Sequence, residues 1–178
     1  MRRVFEAPSV LFSGDLLAET GWRIRVANAL EVDPCAVHLI GSACTGFSLD
    51  PTRNFEEFSV GSDIDVAVVS HLHFEIAWRH LRTLGATRYG MDAKALAAFK
   101  DIRRDLAYYG VIPTENILGW LPFGRTWAEA LERISKDAPI GGHDLSVRLY
   151  RDTYALVLYQ ERTAELLRDK ILTPSVRE

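Results

Sequence analysis

The sequence predicts an α/β (α+β) domain built on a small mixed sheet of about three to five strands flanked by helices. Three observations carry this. Short, near-continuous apolar runs at residues 36–40 and 64–69 have the length and composition of strands buried on both faces. Several longer stretches place apolar residues three and four apart, as one-sided helices require. The chain has 178 residues, 48% hydrophobic and 25% charged. That composition is globular, and the length is that of one domain able to bury about 70% of the surface its unfolded chain exposes. We therefore expect one domain over residues 1–178, with a core over about 15–150 and a C-terminal helix over about 152–172.

The elements follow in order. Residues 1–13 lack periodicity and are expected to lie as an extended arm. Ser13 or Asp15 can cap a helix whose buried face is Ala18, Trp22, Val26 and Leu30, ended by Asp33-Pro34. The strand at 36–40 contains His38, an expected core or near-surface residue, and is closed by Gly41. Residues 43–49 suit one helical turn or a loop, and a polar connection runs on to Gly61. After the strand at 64–69, Phe74, Ala77, Trp78, Leu81 and Leu84 mark a helix with Glu75, Arg79 and Arg82 on its outer face. A further helix over about 92–107, capped by Asp92, buries Leu96, Phe99, Ile102 and Leu106 and exposes Lys94, Lys100, Arg103 and Arg104, expected as a solvated face. The aromatic, Gly- and Pro-rich stretch 108–123 has room for a short strand near Val111-Ile112 and is expected to form a wall beside the site. Thr126, with Glu129 three residues later, spells a capping box for a helix over 127–135. Leu145 to Tyr150 alternates as a half-buried strand, Asp152 caps the last helix, and Pro174 marks its end.

Composition narrows the function. No apolar run reaches the roughly 20 residues of a membrane helix, and the first residues have too short an apolar core for a signal peptide. A cytoplasmic protein without a membrane partner is expected. Cys35 and Cys44 are expected as reduced thiols, since a disulfide framework or zinc site needs more partners. A net charge of −3 argues against broad non-specific DNA binding.

The chemistry concentrates between Val37 and Ser70. Gly41-Ser42 follows the first strand, and Ser62-Asp63-Ile64-Asp65 leads into the second. Side chains alternate along a strand, so Asp63 and Asp65 share a face. Two carboxylates side by side repel each other, an arrangement that a divalent cation neutralises. The Gly-Ser turn offers backbone N–H groups and a hydroxyl to a phosphate. Metal pair and phosphate cradle together point to phosphoryl or nucleotidyl transfer.

This order of helix, strand, Gly-Ser, connection, Asp-x-Asp and strand resembles the nucleotidyltransferase superfamily, which includes DNA polymerase beta, minimal nucleotidyltransferases and bacterial defence nucleotidyltransferases. The likeness covers about residues 15–70, and the final strand and helix only loosely. It implies the nucleotidyltransferase fold and transfer of NMP from an NTP to a hydroxyl of a protein, RNA or small molecule, with Mg²⁺ as cofactor. It also implies that Gly41 and Ser42 hold the nucleotide's β and γ phosphates and that Asp63 and Asp65 hold the metal; Ser62 and Arg148 are further candidates for phosphate contact. Two departures stand out. Twenty residues, 43 to 62, separate Gly-Ser from Asp-x-Asp, more than the family usually has, which suggests a modified mouth to the site. The family's third carboxylate lacks a clear counterpart, because Ser146 and Arg148 occupy the central positions of the later strand. Asp144 is the candidate stand-in for catalysis, or else a turn residue leading the strand. Arg148 either grips a phosphate or pairs with Asp63 or Asp65. The alternative function is a catalytically degenerate nucleotide-binding or interaction module of a toxin–antitoxin or defence system.

Overall fold

The computed structural model describes residues 9–84, 90–102, 107–137 and 140–172. Its architecture is α+β, with a four-stranded mixed sheet and helices packed against it. Helix α1 (Leu16–Leu30) begins where the Asp15 carboxylate accepts from the N–H groups of Leu17 and Ala18. It ends as Glu31 turns left-handed, with φ 57°. Trp22, Val26 and Leu30 are buried as expected; Ala18 is exposed and its neighbour Glu19 is buried in its place. The reason is polar: Glu19 accepts from the N–H and hydroxyl of Ser9 at 3.1 and 2.9 Å and pairs with Arg23 at 2.5 Å. Of the expected extended arm, residues 1–8 lie outside the described residues, while Val10–Phe12 form a 3₁₀ turn that sets Phe12 against Trp22, 5.8 Å between rings.

Strand β1 (Val37–Ile40) leads into a single helical turn, α2 (Ser42–Thr45). Strand β2 (Ile64–Val69) and helix α3 (His71–Leu84) follow, α3 burying Phe74, Ala77 and Leu81. Helix α4 (Ala93–Asp101) is capped by Asp92, which accepts from the Ala95 N–H at 2.8 Å. The predicted continuation carrying Arg103, Arg104 and Leu106 lies outside the described residues. Then come β3 (Val111–Pro113), α5 (Gly124–Ile134), β4 (Leu145–Tyr150) and α6 (Thr153–Leu172). The Asp152 carboxylate accepts from the Ala155 N–H at 2.7 Å, as predicted for a cap; Pro174 lies outside the described residues.

Helix α5 departs from the capping-box expectation. It starts at Gly124, so Thr126 sits inside its first turn and Phe123 holds the cap position without a side-chain hydrogen bond. Glu129 pairs with Arg125 at 3.0 Å instead of reaching back to a cap. Packing explains the shift: a side-chain carbon on Gly124 would collide with the Leu118 carbonyl oxygen, so glycine lets the helix begin hard against the preceding 3₁₀ turn. The same helix is tied to α1 by the Trp127 indole, which donates to the Leu30 carbonyl at 3.2 Å.

The sheet order is β1-β2-β4-β3. β2 runs antiparallel to β1 and parallel to β4, and β3 closes the far edge antiparallel to β4. The central pair carries the core: Ile64, Val66, Ala67, Val68, Val147 and Leu149 are all 1% exposed or less. Helix α6 covers the face that bears Arg148 and Tyr150, with Tyr159 set against Tyr150 at 6.0 Å. Tyr150 is wholly buried where a half-exposed end was expected, and its hydroxyl accepts from the Gln160 amide at 3.5 Å. No helix among the described residues is long and apolar enough to cross a membrane.

Candidate functional site

The register of the sheet builds the site. Asp65 lies opposite Ile40 at the end of β1 and opposite Ser146 in β4. The chain leaves β1 at Gly41 with φ 64°, and a side-chain carbon there would stand 2.7 Å from Asp65 Oδ2. Glycine is thus required twice, for its left-handed backbone and for the closeness of the carboxylate. The Gly41 carbonyl accepts from the N–H groups of Cys44 and Thr45, both at 3.1 Å, which folds α2 back and holds Ser42 beside the cavity mouth.

Gly41, Ser42, Asp63, Asp65, Ser146 and Arg148 line one cavity of about 350 Å³. Asp63 is exposed and Asp65 half-buried, on the same side of β2, as the alternation requires. Arg148 Nη2 lies 3.7 Å from Asp65 Oδ1, and its Nη1 donates to the Tyr159 hydroxyl at 3.2 Å. Its guanidinium carbon stands 5.9 Å from the Tyr159 ring centre. Burial pushes the Asp65 carboxyl above its usual range; Arg148 opposes this, while the Asp63 and Glu115 charges reinforce it. Burial also works against the charge of Arg148, yet Asp65 and then Tyr159, Tyr150 and Glu115 together hold its pKa above the ordinary value. Four carboxylates, Asp50, Asp63, Asp65 and Glu115, line the cavity against the two guanidiniums of Arg53 and Arg148, so negative charge is in excess there.

Two predicted residues are placed elsewhere. Ser62 closes a turn with Ser59: its hydroxyl accepts from the Ser59 N–H at 3.0 Å, and its own N–H donates to the Ser59 carbonyl at 2.9 Å. It does not line the cavity. Asp144 is exposed and likewise off the lining; its role in the fold is to accept from the Ile64 N–H at 2.9 Å through its backbone carbonyl. Beside it, His143 Nδ1 donates to the Ser62 carbonyl at 2.7 Å and its ring stacks on Phe58, 5.2 Å away. These two contacts fasten the end of the long connection to the turn before β4.

Two contributors escaped the sequence reading, and a third was expected. The first is Glu115, an acid in the turn after β3 that lines the cavity and acts on both Asp65 and Arg148. The second is one face of α6, from which Tyr159, Gln160 and Thr163 form a wall. Its signal was present as residues one turn apart, but the same spacing serves core packing equally well. The expected one is the middle of the connection, where Leu49, Pro51 and Arg53 reach the cavity. That segment folds on itself, the Phe58 N–H donating to the Gly46 carbonyl at 2.9 Å and the Ser48 N–H to the Glu56 carbonyl at 2.8 Å. Lys170, near the end of α6, donates to the Pro51 carbonyl and ties the connection to the helix. The extra length is thus built into the mouth of the site.

Two side chains at the site could contribute to holding a metal. Among the described residues no group of three His, Cys, Asp or Glu side chains stands ready to hold an ion. Asp63 and Asp65 supply two carboxylates, and the uncompensated charge around Asp65 suits a cation that brings further ligands with it. Mg²⁺ behaves in this way, binding through one or two carboxylates plus substrate phosphates and water. Cys35 and Cys44 form no disulfide. The chain matches no family model, no curated protein and no solved structure, so the site is interpreted from its own geometry.

Proposed function

We propose that this chain is a Mg²⁺-dependent nucleotidyltransferase that moves NMP from an NTP onto a hydroxyl acceptor. The observation that supports it most is the convergence of Gly41, Ser42, Asp63, Asp65 and Arg148 on one cavity, although these residues leave three different parts of the chain. In this reading the Gly41-Ser42 turn and the Ser42 hydroxyl receive phosphate oxygens. Arg148, already turned toward Asp65, takes a phosphate oxygen through its guanidinium fork. Asp63 and Asp65 would hold Mg²⁺, which supplies charge neutralisation at the phosphates when bound. The side chains themselves orient the nucleotide so that the acceptor oxygen approaches the α-phosphorus in line with the departing pyrophosphate. Cytoplasmic location goes with this reading, since NTP is the donor.

A second reading is favoured by particular contacts. Ser146 lies opposite Asp65 where a third carboxylate would complete the metal site, and Arg148 stands 3.7 Å from Asp65 as a protein-borne countercharge. Those features suit a module that binds nucleotide without turnover, in a toxin–antitoxin or defence setting. One experiment separates the two: incubation with labelled NTPs and Mg²⁺, comparing the native chain with Asp63→Ala/Asp65→Ala. Label transfer or pyrophosphate release that the substitutions abolish supports the transferase. Nucleotide binding with no turnover across a broad acceptor screen supports the module.

A further inference from the structure

A transferase needs two substrates to meet at one point, and two clefts do meet in this molecule. The first is the cavity just described. The second lies between α4 and the turn after β3, lined by Lys94, Ala97, Ala98, Asp101, Pro113 and Asn116. Among the described residues, Glu115 alone lines both.

The turn that carries Glu115 is firmly anchored. Thr114 is 1% exposed, and both its N–H and its hydroxyl donate to the Val147 carbonyl, at 3.1 and 2.9 Å. Three residues on, Ile117 is wholly buried and its N–H donates to the Thr114 carbonyl at 3.0 Å. The two buried ends hold Glu115 and Asn116 as the exposed corners of a closed turn. Val147 lies between Ser146 and Arg148 of the first cavity, so the turn is fixed to the strand that carries the site.

We propose that the second cleft is the acceptor subsite and that Glu115 is the general base for the acceptor hydroxyl. The inference rests on the nucleotidyltransferase reading. The hydroxyl oxygen, entering from the α4 side, attacks the α-phosphorus of the NTP. Its proton passes to the Glu115 carboxylate and then to solvent, the new O–P bond forms, and the bond to the β-phosphate breaks with its electron pair leaving on pyrophosphate. The lining also bears on the acceptor: Ala97, Ala98 and Pro113 leave a floor of small side chains, which suits a small hydroxyl compound.

The test measures two quantities on the full chain: ATP binding by equilibrium titration with Mg²⁺, and label transfer from α-labelled ATP. The acceptor probes are glycerol, inositol, ethanolamine, a Ser/Lys-containing peptide and an oligoadenylate RNA. We expect labelling of at least one of these probes. Glu115→Gln should lower transfer about 10²–10⁴-fold, the usual worth of a general base, while binding ATP at least as tightly, since it removes an anion. Asn116→Trp should block transfer with ATP affinity within about twofold, if its bulk fills the acceptor cleft alone. Intact ATP binding together with no labelled probe, or with transfer indifferent to both substitutions, would overturn the assignment. Absence of ATP binding, or binding that Asp63→Asn/Asp65→Asn leaves unchanged, would instead remove the nucleotidyltransferase reading and this inference with it. Melting curves of both variants should superimpose on the native one, because both side chains are exposed.

Discussion

The two sides of the cavity were made in different ways. On the β1–β2 side, Gly41, Ser42, Asp63 and Asp65 come from strand ends joined by antiparallel pairing, and each sits where its neighbours in sequence put it. On the β4–β3 side, Ser146, Arg148 and Glu115 reach the same space through a parallel pairing and an anchored turn distant in sequence. The first side is acidic. The second brings the guanidinium that meets Asp65 and the acid that increases the negative charge. The contrast teaches that a local motif can fix where a site lies, while its balance of charge, and hence what it does, is decided by strands that join later in the chain.

Four substitutions sharpen that contrast, taken from the largest effect down. Asp63→Asn combined with Asp65→Asn should lower transfer at least 10³-fold, about 4 kcal/mol of transition-state stabilisation, with the melting temperature retained, because burial already disfavours the Asp65 carboxylate. Loss of the cooperative melt would move these residues from the chemistry to the fold. On the opposite side, Arg148→Met should weaken nucleotide binding by about 1.5–3 kcal/mol, the worth of a hydrogen bond to a charged group. Titration with labelled ATP measures it; unchanged affinity would show Arg148 to be only the partner of Asp65. Gly41→Ala comes third. The left-handed φ and the 2.7 Å approach to Asp65 predict about 1–2 kcal/mol of destabilisation in chemical denaturation, and a variant as stable as the native chain would show that the turn can relax.

The smallest effect serves as a control away from both sides. The His73 ring sits 5.1 Å from the rings of Phe123 and Trp127, and burial holds its imidazole below the usual range, with Glu31 opposing. The neutral ring is therefore the folded form. Its contribution is present above the unfolded value of about 6.5 and lost as pH falls below that toward the folded value. Denaturation midpoints should decline below about pH 6.5 in the native chain, and less steeply in His73→Gln; identical slopes would assign the pH dependence to other groups.

How much was legible follows from the distance over which each feature is determined. Asp15, Asp92 and Asp152 cap their helices as read, because a cap depends on N–H groups two or three residues away. The strands around the Gly-Ser and Asp-x-Asp motifs, and the sharing of one face by Asp63 and Asp65, were legible for the same reason. Thr126 misled because the start of α5 is decided by the contact of Gly124 with Leu118, a packing fact that no capping pattern contains. Asp144 was chosen for its place before β4, yet it gives the fold its backbone carbonyl and keeps its side chain off the cavity lining. The stretch 108–123 was expected beside the site, but Glu115 could not be singled out within it, because only the bond from Thr114 to Val147, 33 residues on, carries its turn to the cavity.

The parallel pairing of β2 with β4 also bears on how the protein comes into being. Ile64 and Leu145 are partners 81 residues apart, and that gap must close before either strand is covered. Pairings over such separations form slowly, since the entropy of closing the loop is spent before any contact is gained. During synthesis β1 and β2 emerge early, leaving the apolar edge of Ile64–Val69 unpaired until residue 150 has left the ribosome. An incomplete chain is thus prone to aggregate, lacks Arg148, and has no β4 on which to seat the turn that carries Glu115. Completion of the cavity and protection from self-association arrive in the same folding event.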